Sequence, residues 1–497
     1  MLFKILIMSL LTQTHYIQDP IYHTYAEILD EVDSMARTYP ELVFVDTIGY
    51  SQEWHQPIVA VKLSDNASQA EREPSVLFDG VHHAEEVLGA EIIMSTMWRL
   101  LEGYQAGNDT FVRFLDSLQI WFLPVLNPDG HNIVTSVIDT GWRKNAHDNN
   151  GNGVFDPDYD GVDLNRNYGF YWYDAVERAD TTPSAYFYKG PAPFSESETR
   201  AMAAFCRREK FVVAINYHSP SYSMGEKIYY PWHWPDHNPM FPVDFNLIRQ
   251  IATEMAFNIP TDDSSGTYTA VYGDARMPNA RNWMYSTYGI ISLTPEVCSR
   301  RVQIPPQEVP VVVEHNQRGI FWLLNRMLST SIGVTVVDSV DGKPLRADIR
   351  ILEIDTFDVF PLHRETDPRT GTHFRLIQMP GTYTLKVSAP GYRSRTITVD
   401  VRNGMRTDVT VRLAPLKTPN VVGERTKVYF YAPIEGDYHL KLYSSAGRLV
   451  RDFFAPSLPV GNTEYELNLS DIPSGIYLLD IVGPDSKSVK TLKIMHI

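Results

Sequence analysis

A histidine and a glutamate three residues apart, His83 and Glu86, directly follow an apolar run at residues 75–79 that is typical of a strand. An imidazole and a carboxylate at the end of a strand can bind the same cation. Together they supply two of the three protein ligands in the His₂Glu set of catalytic zinc, where water takes the fourth position. This spacing also occurs by chance. Assigning a catalytic zinc site therefore requires a third ligand, a base and a substrate clamp elsewhere in the chain.

Two further strand-like runs end in residues that could complete such a site. Residues 211–217 lead into His218, and residues 289–293 lead into Thr-Pro-Glu, which ends at Glu296. Open α/β sheets bind ligands at the carboxyl ends of their strands, so His218 is a candidate third ligand. Glu296 is a candidate general base for a zinc-bound water. The structural alternatives are a solvated loop histidine and a surface or helix-capping glutamate.

Two arginines stand beside amide side chains between these strands. Arg143 lies in Gly-Trp-Arg-Lys-Asn, and Arg166 follows Asn165 in Gly-Val-Asp-Leu-Asn-Arg-Asn. A guanidinium group binds a carboxylate through two parallel hydrogen bonds. Each segment is therefore a candidate clamp for a substrate carboxylate, and ordinary surface ion pairing with the abundant acidic residues is the alternative.

The elements that must position these residues form an α/β pattern. Apolar spacing and turn residues predict helices over residues 25–39, 87–101, 195–210 and 320–328, strands over residues 42–45, 58–63, 118–125, 211–215 and 289–293, and a turn at residues 127–130. The near-continuous apolar strands favour a sheet that is covered on both faces. We therefore predict an α/β fold with a mixed, mostly parallel central sheet flanked by helices.

The composition changes near residue 331. Residues 333–413 and 427–497 consist of short, alternating, β-branched segments separated by turns, which is typical of small all-β sandwiches. We predict four parts, which are a signal peptide (1–19), a catalytic domain (20–330) and two β-sandwich domains (331–415 and 416–497). Neither β region has a cluster of residues at catalytic or metal-binding spacing, so the chemistry is expected in the α/β region.

Charge and apolar content restrict the partners. The net charge of −16 disfavours nucleic acid or an anionic membrane. The lysine and short apolar run at residues 1–11 fit a secretory signal better than a membrane span, and no later stretch is long and apolar enough to cross a bilayer. The two cysteines, Cys206 and Cys298, could pair or remain buried thiols. Since little sequence precedes residue 22, we expect no large N-terminal segment before the α/β region.

Residues 20–330 resemble the zinc carboxypeptidases of the carboxypeptidase A and T type. Six motifs occur in that family's order, which are Gly-Val-His-His-Ala-Glu-Glu (80–86), Asn-Pro-Asp-Gly (127–130), Trp-Arg-Lys (142–144), Gly-Val-Asp-Leu-Asn-Arg-Asn (161–167), His-Ser (218–219) and Thr-Pro-Glu (294–296). The resemblance implies a carboxypeptidase-like fold and one zinc ion per chain. At the matching positions it implies that His83, Glu86 and His218 hold the zinc.

The resemblance implies further roles around that ion. Glu296 would be the general base and proton shuttle, and Arg143 would stabilise the oxyanion. Asn165 and Arg166 would bind the terminal carboxylate of the substrate, which makes such an enzyme an exopeptidase. The implied activity is hydrolysis of the C-terminal bond of peptides or proteins by a zinc-activated water.

The family also uses a mobile tyrosine upstream of a tryptophan. Here either Tyr272 or Tyr268 could serve, and Tyr272 lies nearer the family distance from Trp283. Two alternatives to a carboxypeptidase stay open. One is a zinc amidase that acts on cell-wall peptides or acylated amino acids, and the other is a non-catalytic peptide-binding relative.

Two positions depart from the family pattern. The family commonly has arginine just before the zinc glutamate, where this chain has Glu85. In the segment that shapes the side-chain pocket, this chain has Arg281. If Arg281 or Arg276 points inward, an acidic C-terminal residue would be favoured, whereas an outward, salt-bridged arginine is the alternative.

A loop over residues 148–160 is rich in Asp, Asn and Gly at alternating positions. This pattern resembles a calcium-binding loop, although it lacks the terminal bidentate glutamate of an EF-hand. Calcium binding and a plain turn-rich loop are both consistent with the sequence.

The two β regions resemble known modules. Residues 371–392 resemble the transthyretin-like domain that follows the catalytic domain in regulatory carboxypeptidases, and residues 442–494 are similar to the C-terminal sorting domain of type IX secretion. The second resemblance implies a Bacteroidetes-like bacterium, export through the periplasm to the cell surface or medium, and the secretion machinery as a partner. Another adhesive or spacer sandwich is the alternative.

Overall fold

The computed structural model describes residues 22–175, 178–219, 225–234, 240–273, 276–298, 302–356, 362–416 and 421–497. The predicted signal peptide, residues 1–19, lies outside the described residues. Within these ranges, no helix has the length and apolar character needed to cross a membrane. Buried apolar side chains form separate clusters in the α/β region and in each β region.

The α/β region alternates helices and strands. Its helices are α1 (Tyr25–Thr38), α2 (Leu88–Gln105), α3 (Asp109–Leu115), α4 (Pro128–Thr135), α5 (Ser197–Glu209), α6 (Phe245–Phe257), α7 (Ala280–Tyr288) and α8 (Val309–Met327), with 3₁₀ turns at Leu164–Arg166 and Pro306–Glu308. Its strands are β1 (Val43–Tyr50), β2 (Pro57–Leu63), β3 (Ser75–Asp79), β4 (Gln119–Leu123), β5 (Val213–Asn216), β6 (Lys227–Tyr230), β7 (Thr269–Tyr272) and β8 (Ile291–Glu296).

These strands form one mixed sheet in the order β1-β2-β4-β3-β5-β8-β6-β7. The pairs β3–β4, β3–β5, β5–β8 and β6–β7 are parallel, and the other three are antiparallel. In the centre, Asp79 of β3 pairs with Asn216 of β5, and Ile215 of β5 pairs with Leu293 of β8. The carboxyl ends of β3, β5 and β8 therefore lie side by side at one edge of the sheet.

The central strands β3, β4 and β5 are buried along their whole length. A strand without a solvated face must be covered on both sides, which explains why its residues are apolar without alternation. The predicted α/β fold with a mixed, mostly parallel sheet and two following all-β regions is confirmed.

Two local elements differ from the sequence-based prediction. The Asn-Pro-Asp-Gly segment was predicted to be a turn, but it begins helix α4, because the Asn127 side chain accepts the Gly130 N–H at 3.0 Å and Pro128 occupies the first turn. Helix α8 was predicted over residues 320–328 but begins eleven residues earlier, at Val309.

Both β regions are antiparallel or mixed two-sheet structures. The first β region, residues 331–416, contains β9 (Ser331–Asp338), β10 (Asp348–Ile351), β11 (Thr372–Leu376), β12 (Gly381–Ser388), β13 (Arg395–Val401) and β14 (Arg406–Leu413), in the sheets β10-β12-β13 and β11-β9-β14.

The second β region, residues 421–497, contains a larger and a smaller sheet. Its strands are β15 (Val421–Val422), β16 (Arg425–Ala432), β17 (Gly436–Ser444), β18 (Leu449–Leu458), β19 (Gly461–Asn468), β20 (Gly475–Val482) and β21 (Ser488–His496), in the sheets β15-β21-β20-β17-β18 and β16-β19.

Cys206 and Cys298 are both buried, and no disulfide joins them. The alternative in which they form a disulfide is therefore wrong. Burial raises the pKa of the Cys206 thiol well above its usual range.

Candidate metal centre and substrate cleft

Three side chains converge where β3 and β5 end. One ligand atom from each of His83, Glu86 and His218 lies within 4.8 Å of the other two. Nδ1 of His83 is 2.9 Å from Oε1 of Glu86, Nδ1 of His218 is 2.7 Å from Oε2, and the two Nδ1 atoms are 3.0 Å apart. Two nitrogens that bind one tetrahedral zinc ion are separated by roughly 3.3 Å. The spacing and the donor set therefore fit a zinc ion.

The protonation of the cluster also suits a cation. Nε2 of His83 lies 3.2 Å from Oδ1 of Asp163, a contact that would hold the ring proton on Nε2 and leave Nδ1 for a bound cation. In the protein alone burial lowers the pKa of His83, but Glu86 and Asp163 outweigh it and raise this pKa. Burial lowers the pKa of His218 to about 3, so this imidazole is neutral, as a metal ligand must be. Although burial raises the pKa of Glu86, His83 and His218 outweigh it and hold this carboxyl well below its usual pKa.

Asp163 also positions Arg143. Nε of Arg143 donates to Oδ2 of Asp163 at 2.9 Å, while its Nη1 lies 3.6 Å from Glu86. The guanidinium packs against the rings of Tyr186 and Phe187, with centroids 5.1 and 5.2 Å away. No role of Asp163 or Tyr186 was predicted from the sequence. The place of Asp163 inside the same motif as Asn165 was the available signal.

Asn165 and Arg166 lie on the 3₁₀ turn, which begins because Asp163 Oδ1 accepts the Asn165 N–H at 3.0 Å. Nη1 of Arg166 donates to the Asn165 carbonyl at 2.8 Å, and its guanidinium lies 5.3 Å from the Phe187 ring centroid. Nδ2 of Asn165 lies 3.1 Å from Nε2 of His218. The two residues that could bind a substrate carboxylate therefore lie next to the His83, Glu86 and His218 cluster.

The remaining predicted residues surround the same cleft. Its volume is about 380 Å³, and its walls include the three metal-ligand candidates together with Glu85, Arg143, Asn165, Arg166, Tyr186, Tyr272, Arg281 and Glu296. Burial and the nearby Glu86 raise the pKa of Glu296 to about 8. Arg281, in the first turn of α7, is 9% exposed and lies 5.6 Å from the Tyr229 ring centroid.

The sequence left two tyrosines open for the mobile tyrosine and two arginines open for the side-chain pocket. The members of each pair occupy different places in the structure. Tyr272 is 40% exposed at the cleft, whereas Tyr268 is 3% exposed and its hydroxyl accepts the Cys298 N–H at 3.3 Å. Arg276 packs over the Tyr171 ring at 5.6 Å, whereas Arg281 lines the cleft.

Glu85 faces the cleft beside Arg143. Its side chain is buried, Oε1 accepts a hydrogen bond from the Tyr186 hydroxyl at 3.1 Å, and the same oxygen lies 3.9 Å from Nη1 of Arg143. Burial, together with the charge of Glu86, raises the pKa of Glu85 to about 7. The position where the family commonly has arginine therefore carries an acid. This acid lies beside Arg143, the residue predicted to stabilise the oxyanion.

The loop over residues 148–160 does not support calcium binding. Among the described residues, the groups of acidic or histidine side chains close enough to share an ion are the site above and Asp65, Glu71 and Glu73. In the loop, Asp148 accepts the N–H groups of Gly151 and Gly153, and Asp160 accepts those of Asn149 and Asp156. These oxygens close backbone turns instead of converging on a cation.

Two segments of the chain match known protein families. Residues 28–319 match the zinc carboxypeptidase family, and residues 419–495 match the secretion system C-terminal sorting domain. The transthyretin-like assignment of the first β region stays a prediction.

Single relatives match over parts of the chain. The chain is 35% identical over 153 residues to a zinc carboxypeptidase of Saccharothrix mutabilis subsp. capreolus, covering 30% of this chain and 33% of the relative. It is 28% identical over 269 residues to carboxypeptidase B of Astacus astacus, covering 54% and 79%. An inactive metallocarboxypeptidase, ECM14 of Arthroderma otae, is 29% identical over 203 residues, covering 40% and 32%. The chain thus spans about one third of the length of two of these three relatives.

Solved structures share the fold. Bovine thrombin-activatable fibrinolysis inhibitor, in complex with tick carboxypeptidase inhibitor, superimposes with a TM-score of 0.52 at 23% identity, covering 63% of this chain and 98% of that one. Carboxypeptidase A of Helicoverpa armigera gives 0.51 at 23% identity, covering 62% and 73%. The family match spans more than half of the chain, and the convergent His-Glu-His group lies inside it. The chain therefore belongs to the zinc carboxypeptidase family and ends in a type IX sorting domain.

Proposed function

We propose that the chain is an active, secreted zinc metallocarboxypeptidase that removes the C-terminal residue of peptides or proteins. The observation that carries this proposal is the convergence of His83, Glu86 and His218 at one end of a cleft that also contains a base and arginine clamps. The sorting domain supports a secreted or cell-surface location. Export by a Bacteroidetes-like bacterium, with the type IX machinery as partner, is part of the proposal.

Each of several residues in the cleft has a separate role in the proposed reaction. Bound zinc supplies Lewis acidity, which polarises a carbonyl and acidifies water. Glu296, whose pKa is raised to about 8 in the protein alone, takes a proton from the attacking water and passes it to the leaving amine. Arg143 is held by Asp163 and supplies positive charge where the oxyanion develops.

The clamp residues direct cleavage to the C-terminal end of the substrate. Asn165 and Arg166 bind the terminal carboxylate, because a guanidinium group and an amide provide the donors that it requires. Tyr272, exposed at the end of β7, closes over the bound residue. Arg281 lies in the side-chain pocket, where its charge favours a C-terminal Glu or Asp.

A metal analysis combined with a peptide panel tests the proposed activity. We expect about one zinc ion per chain and release of free C-terminal amino acids, both of which a chelator removes and added zinc restores. Zinc without release from peptides, but with hydrolysis of acylated amino acids or cell-wall peptides, would favour the amidase. Zinc without any hydrolysis would indicate a non-catalytic relative.

Replacing Asp163 with asparagine is expected to weaken zinc binding about 10- to 100-fold, because the carboxylate that orients His83 is lost. Competition with a fluorescent chelator measures the affinity. Asp160→Asn is the matched control, since this buried carboxylate accepts only backbone N–H groups in the neighbouring loop. Equal zinc affinity in the two variants would contradict the assignment.

Replacing Arg281 with glutamine is expected to lower kcat/KM for a Glu-terminated peptide about 10- to 100-fold, because a charge-assisted hydrogen bond is lost. The value for a matched Leu-terminated peptide should change little. Arg276→Gln is the control, because Arg276 packs on Tyr171. If both variants keep the wild-type preference, Arg281 does not form the pocket.

A further inference from the structure

A buried cluster of four charges joins the first β region to the α/β region. Nη2 of Arg375 donates to Oδ1 of Asp244 at 2.8 Å, and Nη1 of Arg375 donates to Oδ2 of Asp355 at 2.8 Å. The guanidinium of Arg364 bridges the same two carboxylates. All four side chains are less than one tenth exposed. Asp244 belongs to the α/β region, whereas the other three members of the cluster belong to the first β region.

Hydrogen bonds connect this cluster to helix α7. The Tyr285 hydroxyl donates to Asp244 Oδ2 at 2.8 Å and accepts the Asp244 N–H at 3.1 Å. Near the end of the helix, the Thr287 carbonyl accepts the N–H of His363, a residue of the first β region, at 2.8 Å. The first β region therefore satisfies a carbonyl that the end of a helix leaves without an intrahelical partner.

Arg364 also lies against the residue that terminates α7. Gly289 has a left-handed φ of 70°, and a Cβ atom there would lie 2.7 Å from Nε of Arg364. The helix thus ends in a conformation that suits glycine and lets the guanidinium approach the backbone. A positive charge at this point interacts favourably with the negative end of the helix dipole.

The opposite end of α7 forms part of the cleft. Arg281 lies in its first turn and lines the cleft, and the Ala280 N–H donates to Oδ1 of Asn165 at 2.9 Å. The helix has nine residues, so its ends are separated by roughly 13 Å. One short helix therefore connects the contact with the first β region to two residues of the substrate cleft.

We propose that the first β region positions the substrate pocket, with Arg364 and Arg375 acting through Asp244 and Tyr285 to fix helix α7 and hence Arg281. Arg364 and Arg375 are positioning residues, since neither lines the cleft described above. The inference rests on the proposed function insofar as Arg281 contacts the C-terminal side chain of the substrate.

The chemistry of the contact supports positioning over simple attachment. Two guanidinium forks that share two buried carboxylates fix distance and angle, and losing one partner leaves an uncompensated buried charge. A second contact between the same regions provides a comparison. Arg369 is 39% exposed, and its Nη2 lies 2.9 Å from Oε2 of Glu209 on α5, away from α7.

The test uses the full-length protein with Arg364→Lys, Asp244→Asn and the control Arg369→Ala. Lysine keeps the charge of Arg364 but cannot bridge two carboxylates. We expect faster amide hydrogen exchange over residues 280–288 in the first two variants. We also expect an increase in KM for a Glu-terminated peptide of about 2- to 30-fold, with kcat nearly unchanged, and little change for a Leu-terminated peptide. Zinc content should equal that of the wild type, and Arg369→Ala should leave all of these quantities unchanged.

Unchanged exchange over residues 280–288 together with unchanged selectivity would overturn the positioning role, even if both cluster variants melt at a lower temperature. The same pattern of change in Arg369→Ala would also overturn it, because attachment alone would then explain the effect. If the wild type shows no preference for acidic termini, the pocket assignment of Arg281 fails, and the exchange measurement alone decides the positioning of α7. If Asp244→Asn does not fold, Arg364→Lys decides by the same two measurements.

Discussion

Glu296→Gln is expected to lower kcat for removal of a C-terminal residue by about 10²- to 10⁴-fold while zinc stays bound. Glutamine preserves the size of the side chain but cannot accept a proton from water. The three metal-ligand candidates lie on other segments, after β3 and β5, so the metal cluster remains intact. Steady-state release of the terminal amino acid measures the loss, and elemental analysis of the purified variant measures the zinc.

The control for this prediction is Glu198→Gln. Glu198 is also a buried glutamate, but it accepts the Gln52 N–H at 3.1 Å and lies on α5, outside the cleft. We expect kcat near the wild-type value in this variant. Full activity in Glu296→Gln would show that another group takes the proton, whereas lost activity with lost zinc would show that Glu296 supports the metal site.

Arg166→Gln is expected to lower kcat/KM for peptides with a free terminus by about 10²- to 10³-fold, because two charge-assisted hydrogen bonds to the terminal carboxylate are lost. Arg166 is held toward the cleft by its Nη1 bond to the Asn165 carbonyl and by the Phe187 ring. A peptide carrying a C-terminal amide lacks the carboxylate, so the wild type should hydrolyse it poorly.

The comparison of free and amidated peptides distinguishes the clamp from a general loss of folding. If Arg166 binds the carboxylate, Arg166→Gln should lose most of the preference for the free acid and change little toward the amide. A proportional loss toward both peptides would instead indicate that Arg166 supports the structure of the turn.

The convergence of His83, Glu86 and His218 could be predicted from the sequence because all three residues follow strand ends. His83 and Glu86 follow β3 closely, and His218 follows β5, so the parallel pairing of β3 and β5 is enough to bring them together. The contacts of Asp163 could not be predicted in this way. Its hydrogen bonds to His83 and Arg143 depend on the path of a long loop, which no periodicity specifies.

Predictions from the sequence failed or stayed open where one residue type serves two structures. Asn-Pro-Asp-Gly is typical of a turn, yet Asn is equally a helix cap and Pro a first-turn residue, and the tertiary structure selects the helix. The Asp and Asn residues of the loop over residues 148–160 likewise resemble calcium ligands but accept backbone N–H groups. Which arginine enters the cleft, Arg281 or Arg276, also depended on the structure.

The two buried thiols have a practical consequence for measuring the stability of this protein. No disulfide joins Cys206 and Cys298, and burial holds the pKa of Cys206 well above its usual range, so thiol reagents that need a thiolate are expected to react slowly while the core is closed. The two residues lie on different elements of one buried cluster. The rates at which the two thiols are modified therefore measure how often the core of the α/β region opens.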